Sequence, residues 1–390
     1  MASLLIKNVD VVLIDKIAAA SSILVENGKI RSIDATLEHA ADETIDGTGL
    51  LLAPGFRDLH IHGMHNNIID DGPDDLETIC RILPQYGVTG FLPTVCPLPK
   101  GKDSAFLKQL SKTKSAGTRI LGFHLEGPFL SKTGALPPDA LGNADAQRVS
   151  ALIDAAKPYK AIFSISPEFE GITALIDTMA ANSTPVFITH TAATVEQTQA
   201  AIAHGARHAT HFYDVFPCPN ERDGGVRPCG TVEAILAQHE TTVDFILDGE
   251  HVDPVAVQMA LACKGPGGVC LITDANKGAG LPPGRYKALG SEIEFKYPGA
   301  PARMTENTKY PGSLAGSGLT MDRAVKNATS MLNVSIPLAI RMASANPAAV
   351  LGLDHTGQIK VGYDADFILL NKQLDVQETF VGGKSVYKKV

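Results

Sequence analysis

Two histidines one residue apart, His60 and His62, end an apolar run that begins at Phe56. In an extended strand residues two apart face the same side, so both imidazoles point into one site. A lone histidine in an apolar run more often sits satisfied in a core than holds a ligand. The His-Ile-His pair beside Gly63 favours the ligand reading. Further groups of metal-binding type stand at the ends of other apolar runs: Glu126 ends Ile120–Glu126, His190 ends Pro185–His190, His211 lies near the end of Arg207–Phe212, and Asp274 ends Gly268–Asp274. Neutral imidazoles and carboxylates suit Zn²⁺ or Fe²⁺, and a carboxylate can bridge two ions. One or two divalent ions held by these six residues would bring the pKa of a bound water toward ~7, the basis of hydrolysis at neutral pH.

For these side chains to meet, the runs that carry them must share one end of a barrel. Strand-like runs recur at Phe56–His62, Val88–Val95, Ile120–Glu126, Ala161–Pro167, Pro185–His190, Arg207–Phe212, Val243–Leu247 and Gly268–Asp274. Helix-period stretches such as Asp75–Tyr86, Asp145–Ala156, Ile172–Ala181, Thr194–His204, Val232–His239 and Pro254–Cys263 alternate with them. Eight repeats predict a (β/α)₈ TIM-type barrel over 55–352, whose active site belongs at the C-terminal ends of the strands. The rival doubly wound sheet lacks a Gly-x-Gly-x-x-Gly after its first strand. Arg285–Met304 reads as an inserted hairpin, followed by helices Thr320–Leu332 and Ile336–Met342. Residues 1–54 and 353–390 carry strand-period alternation, with Asn27-Gly28 as a hairpin turn, and predict one small β-sandwich domain built from both ends.

The order of the candidate ligands, His-x-His on strand one, His on strands five and six and Asp on strand eight, resembles the amidohydrolase superfamily. Many of its members bridge their ions with a carboxylated lysine in strand four. Here Lys160 precedes that strand, and Glu126 in Gly122-Phe123-His124-Leu125-Glu126-Gly127-Pro128-Phe129 takes its place. That variant resembles the N-acetylglucosamine-6-phosphate deacetylase family. So do Ala53-Pro54-Gly55-Phe56-Arg57-Asp58-Leu59-His60-Ile61-His62-Gly63, Asp248-Gly249-Glu250-His251-Val252, Thr273-Asp274-Ala275 and Leu314-Ala315-Gly316-Ser317-Gly318-Leu319-Thr320-Met321-Asp322. The resemblance implies a metal-dependent deacetylation of an N-acetylhexosamine 6-phosphate. Asp274 would take a proton from water and deliver it to the leaving amine.

The resemblance also assigns substrate contacts. His251 and an arginine after strand six fall on the phosphate-binding positions. A count from His211 reaches Arg222, whereas Arg227-Pro228-Cys229-Gly230 fits the family's stretch better. That arginine crosses a dimer interface in the family, which implies a homodimer. Ala135, Asp214, Val215, Leu314, Ala315 and Gly316 complete the expected contacts. Two departures from the family stand out: Asp214-Val215 replaces an Asn-Ala pair, and Leu136 replaces a histidine. A carboxylate near a phosphate is unfavourable. A divergent amidohydrolase acting on another N-acylated sugar, amino acid or cyclic amide is therefore the alternative, and an inactive binding barrel a third.

Composition narrows the partners. The 390-residue chain has 42 acidic and 34 basic side chains, a formal charge of −8, and no basic run, which disfavours nucleic acid and anionic membrane. Six cysteines without CxxC spacing, and no signal-peptide or membrane-spanning pattern, read as a reduced cytoplasmic protein. No tryptophan is present to stack a sugar, so hydrogen bonds and metal must select the small-molecule substrate. His39, His204, His239 and His355 read as surface residues, and His208 falls outside the ligand pattern. His65 and His124 lie nearer the site.

Overall fold

Eight short strands run through the middle of the chain: β1 (Phe56–Ile61), β2 (Val88–Val95), β3 (Phe123–Glu126), β4 (Ala161–Ile165), β5 (Val186–Ile188), β6 (His208–Ala209), β7 (Thr242–Ile246) and β8 (Val269–Ile272). Each pairs in parallel with the next. The ring closes between β8 and β1 through a parallel bridge from Ile61 to Ala275. The computed structural model describes residues 3–37, 39–136, 141–221 and 223–390. The residues of β1 through β6 and β8 are all buried, as parallel strands sheathed by helices must be. The near-closed barrel expected from the eight apolar runs is therefore the fold.

Helices fill the intervals, and local chemistry sets where they start. Asp145 accepts from Arg148 N and caps Ala146–Ala156; Thr194 and Gln197 form a capping box on Val195–His204; Asp253 caps Pro254–Lys264. Capping side chains satisfy amide groups that the first turn leaves open. The stretch read as a helix from Asp75 to Tyr86 is an α-helix at Pro73–Ile82 that tightens into a 3₁₀ turn at Leu83–Tyr86, where Pro84 removes a donor. Among the described residues no helix is long and apolar enough to cross a membrane.

The two chain ends form one eight-stranded sheet. Ser3–Val12 pairs with Ile17–Glu26 and Leu51–Pro54, and Leu51–Pro54 runs antiparallel to Phe367–Leu370. Asn27 and Gly28 both have positive φ, 54° and 72°, the backbone that a two-residue hairpin turn requires. The sheet curls over its own core of Leu4, Ile6, Val25, Leu52, Phe367 and Phe380, with Ala365 N donating to Gly28 O. Leu51–Pro54 leads through Gly55 straight into β1. A Cβ at Gly55 would stand 2.2 Å from Thr89, so only glycine fits that junction. Arg119 bonds Asp366 at 3.0 and 3.1 Å and ties the sheet to the barrel.

The expected hairpin at Arg285–Met304 is a larger insertion. Gly284–Ala288, Ser291–Phe295, Pro301–Met304 and Leu314–Ser317 make a four-stranded antiparallel sheet. Its last strand returns to the barrel, where Ser317 N donates to Asp274 O at 2.7 Å.

Candidate metal centre and active site

The first barrel strand delivers His60 and His62 to the C-terminal mouth, with their Nε2 atoms 3.1 Å apart. Asp274 Oδ1 lies 3.4 Å from each. Glu126 spans the rest of the cluster: Oε2 stands 3.2 Å from His62 Nε2, and Oε1 stands 3.1 Å from both His190 Nε2 and His211 Nε2. All six side chains are buried or nearly so. The structure thus brings together all six residues singled out as ligands: His60 belongs to one group with His62 and Asp274 and to another with Glu126 and His211, and His190 joins through Glu126.

How the chain leaves its strands explains the convergence. His190, His211 and Asp274 have φ of 49°, 34° and 45°. These left-handed residues end each strand abruptly and turn a side chain over the barrel mouth, at a steric cost that a functional site tolerates.

The hydrogen bonds on the far side of each ring fix its proton. His190 Nδ1 donates to Lys132 O at 3.1 Å, and His211 Nδ1 donates to Asp214 O at 3.3 Å. A carbonyl only accepts, so each Nδ1 carries hydrogen and each Nε2 turns a lone pair inward. Thr189 Oγ1 also reaches His211 Nε2 at 3.0 Å. Lone pairs of two imidazoles therefore confront a carboxylate oxygen at 3.1 Å, an arrangement that needs positive charge between them. Glu126 Oε2 is buried without a hydrogen-bond partner. Spacings of 3.1 to 3.8 Å among these atoms match donors that share an ion at about 2.1 Å. The donor set fits a divalent cation.

Without a cation, protons take that place. Burial alone would lower His62 and His211, but Glu126 and Asp274 outweigh it and hold them up at about 9 and about 10. Burial would raise Glu126, yet the surrounding imidazoles, His60 first, keep it well below the usual carboxylate range. Burial lifts Asp274 to about 6 against the pull of His62.

A second layer holds the first. Asp244, on β7, accepts from His208 Nε2 at 2.8 Å, from the Thr210 hydroxyl at 3.1 and 3.2 Å, and from the His211 amide at 2.5 Å. Asp58, on β1, accepts from the Thr273 hydroxyl at 2.5 Å and the Thr273 amide at 3.2 Å, which pins the turn that carries Asp274. Sequence reasoning missed both. The signal for Asp58 was its position two residues before His60 on the same strand face. For Asp244 it was a lone carboxylate inside an apolar run. His124 lies beneath His60, with Nδ1 on Leu59 O and Nε2 on Ser164 Oγ. His65 Nε2 reaches Tyr86 Oη at 2.9 Å and is not part of the cluster.

The expected substrate contacts divide. His251 is held by Asp248 Oδ2 at 2.6 Å through Nδ1, and its Nε2 is buried with no partner. Burial would lower it, but Asp248 keeps it above the usual imidazole value. Gly316 presses on the catalytic turn: with φ of 73°, a Cβ there would stand 2.7 Å from Asp274 O. Ala315 O accepts from Asn276 Nδ2 at 2.8 Å, and Leu314 opens the same strand. Val215 packs beside Gly134 and His190, and its carbonyl accepts from Thr191 N. Asp214 is half-buried in the loop after β6, and Ala135 is exposed. Leu136 is buried against Cys96 and Leu130. Arg227 is exposed and bonds Glu233 at 2.8 Å, so a single chain does not bring it to the cluster. Arg222 lies outside the described residues.

Comparison with known proteins adds to this geometry. The amidohydrolase family profile matches residues 288–386. An N-acetylglucosamine-6-phosphate deacetylase of Lysinibacillus sphaericus is 31% identical, covering 98% of this chain and 97% of that protein. An N-acetylgalactosamine-6-phosphate deacetylase of Escherichia coli O157:H7 is 32% identical over 86% of this chain and 87% of its own length. Among solved structures, a mutant N-acetyl-D-glucosamine-6-phosphate deacetylase from Mycobacterium smegmatis, in complex with N-acetyl-D-glucosamine-6-phosphate, superposes with a TM-score of 0.89. It is 26% identical, and all of both chains is covered.

Proposed function

The chain belongs to the N-acetylglucosamine-6-phosphate deacetylase family of amidohydrolases, hydrolases of C–N bonds, and we propose that it removes the acetyl group from an N-acetylhexosamine 6-phosphate, N-acetylglucosamine 6-phosphate first among them. The products are the amino sugar phosphate and acetate. The observation that carries this reading is the convergence of four inward Nε2 atoms with Glu126 and Asp274 at the barrel mouth.

His60, His62, Glu126, His190, His211 and Asp274 would hold one or two divalent ions, zinc or iron. A divalent ion there supplies an activated water and polarises the acetyl carbonyl. Asp274 receives the proton of the attacking water on its carboxylate and returns it to the departing amine nitrogen. Gly316 and Asp58 keep that carboxylate aimed, by close backbone contact and through Thr273 respectively. His251, whose charged form Asp248 favours, offers its free Nε2 hydrogen to the anionic end of the substrate. Ala135, Asp214, Val215, Leu314 and Ala315 line the approach. Arg227 serves the site of a partner in a homodimer, and the enzyme works in the cytoplasm.

A second reading, an amidohydrolase of another N-acylated sugar, amino acid or cyclic amide, rests on Asp214 and on the burial of Leu136. One assay separates the two. The metal-loaded protein is given N-acetylated glucosamine, galactosamine and mannosamine, each with and without 6-phosphate, and acetate is measured. A strong preference for a phosphorylated sugar supports the first reading. Equal rates with and without phosphate overturn it in favour of the second.

A further inference from the structure

The two histidines of His-Ile-His point Nε2 into the cluster, and each leaves Nδ1 facing a different neighbour. His60 Nδ1 lies 3.4 Å from Thr210 Oγ1, whose hydroxyl reaches both oxygens of Asp244. His62 Nδ1 lies 3.6 Å from Cys96 Sγ, a hydrogen-bond length for sulfur. Behind Cys96 stands Asp70: its Oδ1 accepts from the Cys96 amide at 3.1 Å, and its Oδ2 is buried with no partner. Ligand-type atoms of His62, Asp70 and Cys96 all lie within 4.8 Å of one another. Both imidazoles are therefore backed by a hydroxyl or thiol with a carboxylate beside it, bonded to the Thr210 hydroxyl in one case and to the Cys96 amide in the other.

We infer that Asp70 and Cys96 are positioning residues that form a carboxylate–thiol relay onto His62, matching the Asp244–Thr210 relay onto His60. The relay sets how tightly the His60–His62–Asp274 half of the centre holds its ion. Cys96 Sγ accepts the Nδ1 hydrogen of His62, and its own hydrogen turns toward Asp70 Oδ2. A metal-binding imidazole whose outer N–H is so engaged is fixed in orientation and made a better donor. The relay is also dry. Leu130 and Leu136 pack on Cys96, with Leu141 partly buried beside them. Leu136, the residue standing where the family resemblance leads to a histidine, thus helps to cover the thiol. The inference rests on the metal-hydrolase reading and deepens it.

The test uses metal-free full-length protein titrated with Zn²⁺ against a chromophoric chelator, for wild type, Cys96→Ser, Cys96→Ala, Asp70→Asn and the Cys96→Ala/Asp70→Asn double variant. Cys96→Ser keeps an acceptor and donor and should bind as wild type does. Cys96→Ala and Asp70→Asn should each weaken one ion by roughly 10–100-fold. The double variant should be no weaker than the poorer single one, because both cut one chain. Thermal melting of the metal-free forms checks that the alanine variant is folded. Equal Zn²⁺ affinity for Cys96→Ala and wild type overturns the relay and leaves the hydrolase reading standing. So does a thiolate-to-metal absorption band in the Co²⁺-loaded wild type, which would make Cys96 itself a ligand. A wild type that takes up no ion overturns both readings.

Discussion

The Nε2 atoms of His60 and His62 face each other across 3.1 Å, each also 3.4 Å from Asp274 Oδ1. With Glu126 in addition, the cluster concentrates acceptors that only positive charge can reconcile. Stripping the ions with a chelator should therefore destabilise the fold. An ion present at a thousandfold over its Kd contributes about 4 kcal/mol. For a chain of this size, its removal should lower Tm by at least about 5 °C, and Zn²⁺ or Fe²⁺ should restore it. Differential scanning fluorimetry reads this directly, and an unchanged melting curve counts against the centre.

Asp274 is the group whose loss should cost the most chemistry. Asp274→Asn keeps the shape of the side chain and one possible ligand oxygen but cannot carry the proton. Turnover should fall by about 10²–10⁴-fold. Ion content, measured by elemental analysis, should persist in part. A variant with near wild-type kcat would remove the acid–base role.

The pairing of His251 with Asp248 makes a pH prediction whose sign is fixed. His251 is held above its ordinary value, so its charge persists to higher pH than that of a free imidazole and is lost as pH rises through the raised value. Its contribution to stability runs the same way, present below the ordinary imidazole range and fading on the alkaline side. KM for a phosphorylated sugar should rise with that loss, while KM for the unphosphorylated sugar stays level. Asp248→Asn should move the rise to lower pH. A parallel rise for both sugars would take His251 out of phosphate recognition.

Asp244 is the keystone of the layer beneath. Asp244→Ala strands His208 Nε2, the Thr210 hydroxyl and the His211 amide in a buried space. Unpaired buried donors cost about 1–3 kcal/mol each, so urea unfolding should report a loss of about 3 kcal/mol or more. Zn²⁺ affinity should fall with it, since His60 and His211 both lose support. An alanine variant as stable as wild type would show that the layer relaxes without cost.

The barrel was legible in the chain because its strands are continuous apolar runs; Val88–Val95 is a strand from end to end as read. The strand ends were less so. The apolar runs continue to His190 and His211, whereas the strands stop at Ile188 and Ala209, because the ligands themselves sit in left-handed backbone that pattern alone does not mark. The six ligands could still be named, since residue type and position at a run's end suffice for that. Asp244, Asp70 and Cys96 could not. Their roles depend on which neighbouring strand or loop each meets, and no local period encodes it. Arg227 illustrates the same limit from the other side: its place in the sequence pointed to the site, and within one chain it turns to Glu233.

The antiparallel pairing of Leu51–Pro54 with Phe367–Leu370 also carries a consequence for biosynthesis. As the chain leaves the ribosome, the early strands must wait with a bare hydrogen-bonding edge until the whole barrel has been translated. Such an edge is a template for pairing with other nascent chains, and contacts this distant in sequence close slowly. The early sheet thus keeps an open edge through most of synthesis, and the last strands to emerge are the ones that cover it.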